Sequence, residues 1–567
     1  MNQNKNVSKD DISLDGVVIP SEKLVFIPLG GATGVGMNFF LYGYKGKWLV
    51  VDCGIGFPGD GLPGVDLLLP NPSFISKHKK DIVGLVITHA HEDHIGGVAY
   101  LWQDLQCPIY VTPFANELLE GKLSEAGLLG RADVHVVDQD SVIDLNPFEV
   151  QFVSMNHSVP EPNALAIRTD QGLIVHTGDW KFEENPIIGE QTDFKTLKEL
   201  GNEGVLALVS DSTNVFGQKS DKTEMDVRQS LIELVSQYPG RQIAVGCFAS
   251  NVARMESIYE AAKANGREVC LMGRSLWRID GAARATGYFK NMPDFLTEDE
   301  AMERPVGSVL YICTGSQGEP FSALNNLAAI TPSKGSVYFG PDDVVIFSSR
   351  VIPGNEKSIA LLQKKLKAKG IKIITDKDAL VHVSGHYAGS DLKKMYELLR
   401  PKISLPVHGE AMELTAHVEL ALKYGAEFAF ALEDGEVIEL DDTPQIIGEV
   451  YAGILAVDGK RILGLDAEVI KKRRKMMEGG TMVATVVVGK KGNVLGEPQL
   501  SAFGLLDPTS EDKEILCQSI VSAVADLDKE KRTQDETVQN TIKSTIRKFL
   551  SEKYGKKPLI DVHLVRI

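Results

Sequence analysis

The stretch I-T-H-A-H-E-D-H-I-G-G, residues 87–97, carries three histidines and two carboxylates within six positions. The apolar run before it predicts a short buried strand. In extended chain His89 and His91 point the same way, because side chains alternate with period two. Asp93 and His94 follow as the chain turns, so their side chains can face a second metal. Imidazole and carboxylate ligands without thiolate suit zinc or manganese.

A polar loop with chance histidines is the alternative interpretation of residues 87–97. Histidine is a rare residue, so this many candidate ligands at such close spacing disfavour that alternative. A zincin helix requires H-E-x-x-H, which is absent from the stretch. Metal clusters at a strand end are a common way to build a catalytic site on an α/β scaffold. The sequence therefore predicts a metalloenzyme with α/β architecture.

Composition and charge narrow the class of protein further. The chain has 567 residues, of which 43% are hydrophobic and 24% charged, as expected for a globular protein of about three to four domains. No apolar run reaches the roughly 18 residues of a membrane span. The net charge of −17 argues against a protein that coats nucleic acid, but a nuclease with bound metals remains compatible with it. Six scattered cysteines without C-x-x-C predict buried free thiols in a reducing cytoplasm.

The T-H-A-H-E-D-H-I-G-G stretch resembles motif 2 of the metallo-β-lactamase fold, and later motifs narrow the resemblance to the β-CASP branch and the ribonuclease J family. The resemblance implies an α/β fold, namely a metallo-β-lactamase αββα sandwich with an inserted β-CASP α/β domain and a small C-terminal α+β domain. The expected boundaries are a disordered lead at 1–21, the first part of the sandwich at 22–220, the β-CASP domain at 221–370, the second part of the sandwich at 371–440, a linker at 441–459 and the C-terminal domain at 460–567. Within the last domain we expect a strand at 481–490, helices at about 511–530 and 535–553, and a strand at 559–567.

Further superfamily motifs fall at the ends of predicted strands. Asp52 would hydrogen-bond a ligand histidine and fix its tautomer, with an ordinary turn aspartate as the alternative. His176 lies inside a strand and is expected to be structural. A bridging carboxylate offers one oxygen to each of two metals about 3.5–4 Å apart. The ligand sets that the resemblance implies are His89, His91, His157 and Asp179 for the first metal, and Asp93, His94, Asp179 and His408 for the second.

Two motifs resemble those of the β-CASP branch. Asp211 ends a strand as in motif A and would orient a catalytic histidine. H-V-S-G-H, residues 382–386, resembles motif B, in which His386 would give a proton to the leaving oxygen. In a strand-like segment His382 and Ser384 share a face and would hold a phosphate, although two buried core histidines are the alternative. The catalytic residues implied are Asp52, Asp93, Asp211 and His386.

Three small-residue turns follow apolar strands in the insert. Their backbone N–H groups, hydroxyls and arginines suit phosphate oxygens. Ordinary α/β turns look alike, but all three resemble ribonuclease J loops, and T-G-S-Q-G-E-P at 314–320 is the most specific. The candidate residues for binding RNA phosphates are Phe248, Ser250, Asn251, Arg254, Arg274, Ser275, Thr314, Gly315, Ser316, Gln317, His382, Val383, Ser384, Gly385 and His386.

Three further stretches allow more than one interpretation. G-G-A-T-G-V-G-M-N, residues 30–38, lacks the spacing of a dinucleotide fingerprint and resembles the family's opening turn, from which residues 32–35 depart. Gly64 and Asp66 resemble a structural divalent site, such as one for Ca²⁺, with a solvated loop aspartate as the alternative. The basic run 471–475 is better explained as a solvated helix face than as an RNA contact.

The resemblance implies hydrolysis of RNA phosphodiesters by two divalent ions, zinc with manganese or magnesium as alternatives, to give 5′-phosphate products. It implies 5′→3′ exonuclease activity that favours 5′-monophosphorylated single-stranded RNA, together with endonuclease activity, in mRNA decay and rRNA maturation. The expected assembly is a cytoplasmic homodimer or homotetramer, with partners in an RNA degradation complex and no membrane contact. A hydrolase of small esters would lack the insert, and a non-catalytic RNA-binding partner subunit would have a broken ligand set.

Overall fold

The computed structural model describes residues 12–14, 17–59, 61–217, 222–329, 337–352, 354–507 and 510–567. The chain divides into two compact units, the first formed by Met1–Gly56 and Leu69–Gly453 and the second by Phe57–Leu68 and Ile454–Ile567. Every helix in the described part is too short or too polar to cross a bilayer.

The first part of the chain, up to residue 211, consists of strands and helices, and many of the strands coincide with runs of β-branched and aromatic residues. The strands are β1 (Ile12–Leu14), β2 (Val17–Ile19), β3 (Val25–Gly30), β4 (Phe39–Tyr44), β5 (Lys47–Val51), β6 (Leu67–Pro70), β7 (Ile82–Val86), β8 (Ile109–Val111), β9 (Val134–Val136), β10 (Val142–Leu145), β11 (Phe148–Ser154), β12 (Asn163–Thr169), β13 (Gly172–His176) and β14 (Val205–Asp211). The helices are α1 (Ser73–Ser76), α2 (Glu92–Ile95), α3 (Val98–Leu105), α4 (Pro113–Glu125) and α5 (Phe194–Glu203).

The insert is a parallel five-stranded sheet flanked by helices. Its strand order is β16-β17-β15-β18-β19, and every pairing is parallel. The loops after these strands therefore gather at one edge of the sheet. The elements are α6 (Glu224–Ser236), β15 (Ile243–Gly246), α7 (Val252–Ala264), β16 (Glu268–Met272), α8 (Arg274–Ala285), α9 (Glu298–Met302), β17 (Val309–Cys313), α10 (Ala323–Leu327), β18 (Val344–Phe347), α11 (Glu356–Ala368) and β19 (Lys372–Ile374).

After the insert the chain returns to both sheets of the first part. These sheets have the orders β10-β11-β12-β13-β14-β20-β21 and β23-β22-β3-β4-β5-β7-β8-β9. Apolar side chains of both sheets, such as Phe26 and Phe152, share one buried cluster, and α5, α12 and α13 pack behind the seven-stranded sheet. The predicted αββα sandwich is confirmed. The returning elements are α12 (Gly389–Leu399), β20 (Ile403–Val407), α13 (Ala411–Lys423), β21 (Phe428–Ala429), β22 (Glu436–Glu439) and β23 (Gln445–Glu449).

The second unit contains a three-stranded sheet of order β27-β26-β28, one face of which packs on two long helices. Its strands and helices lie within a few residues of those that the sequence predicts. The elements are β24 (Ile454–Asp458), β25 (Arg461–Gly464), α14 (Glu468–Gly479), β26 (Thr481–Val488), β27 (Gln499–Phe503), α15 (Glu511–Ala525), α16 (Lys529–Arg532), α17 (Asp535–Tyr554) and β28 (Leu559–Arg566).

Two smaller predictions in the second unit have different outcomes. The basic run 471–475 forms a mostly exposed face of α14, as favoured above. Arg473 pairs with Asp458, and its Nη1 also donates to the Gly64 carbonyl at 3.2 Å. Asp66 accepts a hydrogen bond from the Gly459 N–H and belongs to no ligand cluster among the described residues. The Arg473 guanidinium thus contacts the Gly64 carbonyl oxygen, and the divalent site at Gly64 and Asp66 stays a prediction.

Several predicted boundaries are also corrected. β19 pairs with β18, so the insert extends to Ile374 and beyond residue 370. β23 pairs with β22 of the sandwich, so the predicted linker contains a strand of that sheet. β1 and β2 pair as antiparallel strands within the lead predicted to be disordered, whose residues 1–11, 15 and 16 lie outside the described part. All six cysteines are buried and free, as predicted.

Candidate metal centre

Seven side chains converge at one edge of the sandwich. Five of them stand just beyond the carboxyl end of a strand and two lie in the short helix α2, where the backbone has left the sheet and the side chains are free to face a common centre. His89, His94, Asp179 and His408 are at most 3% exposed. The seven are His89 and His91 after β7, Asp93 and His94 in α2, His157 after β11, Asp179 after β13, and His408 after β20.

The first donor group combines three imidazoles with one carboxylate oxygen. Nδ1 of His91 lies 3.2 Å from Nε2 of His89 and 3.1 Å from Nε2 of His157. Oδ2 of Asp179 lies 3.8 Å from the His89 nitrogen and 3.6 Å from that of His157. Ligands bonded to a tetrahedral zinc ion stand about 3.4 Å apart. The spacing therefore fits four ligands around one divalent ion.

The second donor group uses the other oxygen of the same carboxylate. Oδ1 of Asp179 lies 3.3 Å from Nε2 of His94 and 3.6 Å from Nε2 of His408. Oδ2 of Asp93 lies 3.7 Å from both of these nitrogens. The Asp179 Oδ1 is buried and has no hydrogen-bond partner. A buried carboxylate oxygen without a donor needs a cation, so these residues fit a second metal.

The protonation states suit metal binding. Burial lowers the pKa of His89 and His157 well below the usual range and that of His91 to about 4, so all three imidazoles are neutral. Burial raises the pKa of Asp179, but the positive charges of His408 and His94 outweigh it and keep the carboxylate ionised. Burial lowers the pKa of His94, but the negative charges of nearby carboxylates outweigh burial and hold this pKa well above the usual range, so the imidazole is protonated. A divalent cation would displace that proton.

The nitrogens that do not face the centre are held by the surrounding protein. Nδ1 of His94 lies 2.7 Å from Oδ2 of Asp52, the contact that the sequence predicts for this aspartate. Thr88 Oγ1 donates to the same carboxylate and lies 3.0 Å from Nδ1 of His89. Nδ1 of His408 donates to Oδ1 of Asn38 at 3.0 Å. Such contacts fix tautomer and ring orientation, and sequence reasoning did not assign the threonine or the asparagine.

We expect Asp52→Asn to lower metal affinity by about 10–100-fold, because an amide accepts the His94 N–H less strongly and leaves its carboxamide nitrogen facing a donor. Asparagine suits the position, since Asp52 has a left-handed φ of 60°. Competition with a chelator measures the affinity. An Asp52→Asn protein that holds its metals as tightly as the parent protein would contradict the assigned role.

The opening turn, residues 30–38, supports the second donor group although its residues 32–35 differ from the family's usual sequence. The Gly31 carbonyl accepts from the His408 N–H at 2.7 Å. Oδ1 of Asp434 accepts from the Ala32 N–H at 2.9 Å and fixes the turn from the other side. His176 is buried, and its Nδ1 lies 2.9 Å from the Tyr42 hydroxyl, in agreement with a structural role.

His386 lies beside the two donor groups and pairs with Asp211. Its Nδ1 lies 2.8 Å from Oδ2 of Asp211. Burial lowers the pKa of His386, but the charge and hydrogen bond of Asp211 outweigh it and raise the pKa to about 9. The backbone N–H of Thr213 donates to the other Asp211 oxygen at 2.8 Å. The pair therefore presents a protonated imidazole next to the metal centre.

The segment that carries His386 is irregular, and the strand-like conformation predicted for it is wrong. It crosses from the insert back to the sandwich, where the Gly385 carbonyl accepts from Nδ1 of His157 at 2.6 Å. Nδ1 of His382 is buried without a hydrogen-bond partner. Asn251, Val383, Ser384 and Gly385 line a cavity of about 30 Å³ beside His157.

Two residues predicted to bind phosphate are engaged elsewhere. Arg254 is fully buried, pairs with both oxygens of Glu224 at 2.6 and 2.9 Å, and donates to the Ser348 carbonyl. Gln317 is 5% exposed, and its amide group bonds to Ser349 and to three groups between Arg350 and Asn355. Their donors are already used, so both predictions are corrected.

The other residues predicted to bind RNA phosphates differ from one another in how exposed their side chains are. Arg274 and Ser275 are exposed at the start of α8, and the Arg274 guanidinium has no ion pair within the described residues. Phe248 and Ser250 are half-buried. The Thr314 hydroxyl accepts from the Ala323 N–H at 3.2 Å. Gly315 has a φ of 106°, which glycine adopts without strain, and Ser316 faces a different cavity.

We expect Arg254→Ala to destabilise the protein by about 3–5 kcal/mol, because it leaves the Glu224 carboxylate buried without its partner. Arg274→Ala should leave the free energy of unfolding within about 0.5 kcal/mol of the parent value, since that side chain is exposed. Denaturant unfolding of the two variants measures the difference. Equal stability of the two variants would restore Arg254 as a candidate for phosphate binding.

Four family models match the chain, with the descriptions metallo-beta-lactamase superfamily (residues 32–209), ribonuclease J beta-CASP domain (240–366), Zn-dependent metallo-hydrolase RNA specificity domain (354–431) and ribonuclease J C-terminal domain (468–567). A crystal structure titled a protein of unknown function from Enterococcus faecalis V583 shares the fold, with a TM-score of 0.52 at 17% identity, over 74% of this chain and 100% of that chain. Fold and centre thus define a metal-dependent hydrolase of the metallo-β-lactamase superfamily with a β-CASP insert.

Curated relatives define the family more closely. A ribonuclease J of Sinorhizobium meliloti is 40% identical over 554 residues, which cover 96% of this chain and 98% of the relative. Ribonuclease J 1 of Streptococcus pyogenes is 35% identical over 95% and 97% of the two chains, and ribonuclease J of Thermus thermophilus is 33% identical over 95% of each. The chain belongs to the ribonuclease J family and is a metal-dependent ribonuclease. The β-CASP insert excludes the small-ester alternative.

Proposed function

We propose that the protein hydrolyses RNA phosphodiesters with two divalent ions, of which zinc suits the donor set best. We further propose 5′→3′ exonuclease action that favours 5′-monophosphorylated RNA, together with endonuclease action, with 5′-phosphate products. The observation that carries the proposal is the pair of four-donor groups that share the Asp179 carboxylate. Both four-donor groups are intact, whereas a non-catalytic partner subunit is expected to lack some of the metal ligands.

Divalent ions in these groups would lower the pKa of a water molecule and offset the negative charge on the phosphate. Asp179 and Asp93 supply anionic oxygens, while the neutral imidazoles of His89, His91 and His157 supply lone pairs without adding positive charge. The surrounding hydrogen bonds hold the rings of His89, His94, His157 and His408 in place before substrate arrives. The protein thereby reduces the reorganisation needed at the moment of reaction.

His386 is proposed as the general acid that protonates the departing 3′ oxygen. Asp211 holds Nδ1, which leaves Nε2 as the nitrogen that can deliver a proton. The phosphate beside the scissile bond would be held by His382, whose Nδ1 lacks a partner, and by Ser384, Asn251 and the backbone of residues 383–385. Arg274 and Ser275, with Phe248, Ser250 and the Thr314–Gly315 turn, would contact the RNA backbone farther along.

The remaining proposals concern the cell and the assembly. Free buried cysteines are compatible with a reducing cytoplasm. We also propose a role in mRNA decay and rRNA maturation for this chain, which relatives named ribonuclease J match over nearly its full length. We propose a homodimer or homotetramer that binds single-stranded RNA and associates with other proteins of an RNA degradation complex.

Metal removal tests the proposed activity. We expect the purified protein to release mononucleotides from 5′-monophosphorylated RNA faster than from the 5′-triphosphorylated RNA of the same sequence, and a chelator to abolish both reactions. Adding back zinc, manganese or magnesium separately identifies the ion that restores cleavage. His91→Ala serves as the control for contaminating nucleases. Cleavage that persists in excess chelator, or equally in His91→Ala, would refute the proposal.

A further inference from the structure

A second cavity, of about 490 Å³, opens on the insert at the carboxyl ends of β18 and β19. Its lining contains no candidate metal ligand and no residue of the 382–386 segment. The volume lies within the range of about 300–1,000 Å³ typical of ligand sites. Sheets of this parallel type bind ligands beyond the carboxyl ends of their strands. Size and position are therefore those of a binding site.

One wall of this second cavity is apolar. Phe347 ends β18, Ile359 lies on α11, and Ile373 lies on β19, and all three line the open space. The first two are 4% and 5% exposed, so their positions are fixed by the packed core of the insert. An unstacked base needs such a rigid apolar or aromatic surface to replace its stacking neighbours. The wall therefore suits a planar heterocycle.

Polar groups without protein partners complete the lining. Ser316 is only 2% exposed, yet its hydroxyl makes no hydrogen bond within the described residues. The Gln363 amide on α11 likewise has no partner there, and it offers the donors and the acceptor that read a base edge. Lys367 and Lys377 form no ion pair within the described part and can contact a phosphate.

Three carboxylates line the cavity together with these two lysines; none of them forms an ion pair with either lysine within the described residues, although Lys367 attracts Asp378 through space. Glu356 accepts from the Gly354 N–H at 2.9 Å. Asp378 accepts from the N–H and the hydroxyl of Thr375, both at 2.9 Å. Asp376 is the remaining carboxylate of the lining. Helix α11 and the lining segment 375–378 also lie within residues 354–431, which the family model for an RNA specificity domain matches.

We propose that this second cavity binds one nucleotide of the substrate RNA, with the base against the apolar wall and the phosphate near Lys367 and Lys377. Ser316, which the sequence placed among the candidates for binding RNA phosphates, contributes to this site. The site would retain RNA on the insert while cleavage proceeds elsewhere. The proposal depends on RNA being the substrate but not on the metal chemistry, so binding can be measured with the metals chelated.

The test measures the affinity of the full-length protein for a fluorescein-labelled, unstructured 30-nucleotide RNA in excess chelator. Gln363→Ala and Lys367→Ala should each weaken binding by about fivefold or more, and Lys367→Ala should reduce the slope of log affinity against log salt by about one. Lys365→Ala is the matched control, because Lys365 is an exposed lysine of α11 outside the cavity lining. The control should bind as the parent protein does.

Photocrosslinking locates the contact directly. RNA carrying 4-thiouridine should form adducts on peptides that contain residues 347–378, and the Gln363→Ala protein should form fewer. Unchanged affinity in both lining variants, or adducts that avoid this segment, would overturn the proposal. AMP or UMP can also be added as a competitor. If either nucleotide binds the cavity but displaces no RNA, the cavity is a site for free nucleotides and the proposal is overturned. A parent protein that binds RNA in this cavity but does not cleave RNA when its metals are present would instead count against the proposed activity and leave the cavity proposal standing.

Discussion

We expect Asp179→Asn to lower kcat/KM for RNA cleavage by at least about a thousandfold, since metal ions supply several kcal/mol of transition-state stabilisation. No other described side chain contributes to both four-donor groups. Asparagine keeps the shape but replaces one oxygen by an NH₂ group that cannot bind a metal, and it removes the negative charge that balances two cations. Both sites should therefore weaken together, and elemental analysis alongside cleavage kinetics measures the loss.

Asp170→Asn provides the matched control for this prediction. Asp170 is an exposed turn residue whose side chain is 76% accessible, and its ion-pair partner within the described residues is Lys45. The control should keep its metals and its activity, which excludes a general effect of replacing an aspartate. An Asp179→Asn protein with two bound ions per chain and unaltered kinetics would show that the carboxylate is not shared.

Part of the centre could be predicted because its residues are close in sequence. Four of the seven converging side chains lie within residues 89–94, where strand geometry and a turn are enough to orient them. His157, Asp179 and His408 come from three other strands, and only the order of those strands in the sheet brings them together. Their positions after apolar strands could be recognised, but their convergence was implied by family resemblance.

Arg254 and Gln317 were misassigned because burial is a property of the tertiary structure. The partners that use the donors of Arg254 lie 30 residues away at Glu224 and 94 residues away at Ser348. The same loop sequence would suit phosphate if those partners were absent. Arg274 occupies a similar turn and remains exposed, so the residue types alone could not distinguish a structural arginine from an available one.

The 382–386 segment shows a second limit of sequence prediction, namely that alternating residue types do not always indicate a strand. Its alternating residues suggest a strand, but the chain here passes between two domains and pairs with neither sheet. A Cβ atom on Gly385 would lie 2.9 Å from the Ser158 hydroxyl, so glycine permits the close approach that places its carbonyl on His157. Short β19 was missed for a related reason, since a three-residue edge strand has too little pattern to detect.

The second large effect is expected at His386. His386→Ala should lower kcat by about 10²–10⁴-fold, which is the usual contribution of general acid–base catalysis, and should retain its metals because His386 lies outside both four-donor groups. The loss should be much smaller for a phosphodiester with a p-nitrophenolate leaving group, which departs without a proton. Equal losses on RNA and on the activated ester would mean that His386 does not act as the acid.

The double variant decides whether Asp211 acts through His386. Asp211 contacts the reaction only through the imidazole in this arrangement, so Asp211→Asn should reduce kcat in the parent protein but cause little further loss in His386→Ala. Thr213 offers a competing route, because its hydroxyl lies 2.5 Å from an Asp211 oxygen and 3.0 Å from the His408 carbonyl oxygen and can donate its one proton to either. Additive losses in the double variant, accompanied by weaker metal binding, would show that Asp211 instead supports the His408 strand end.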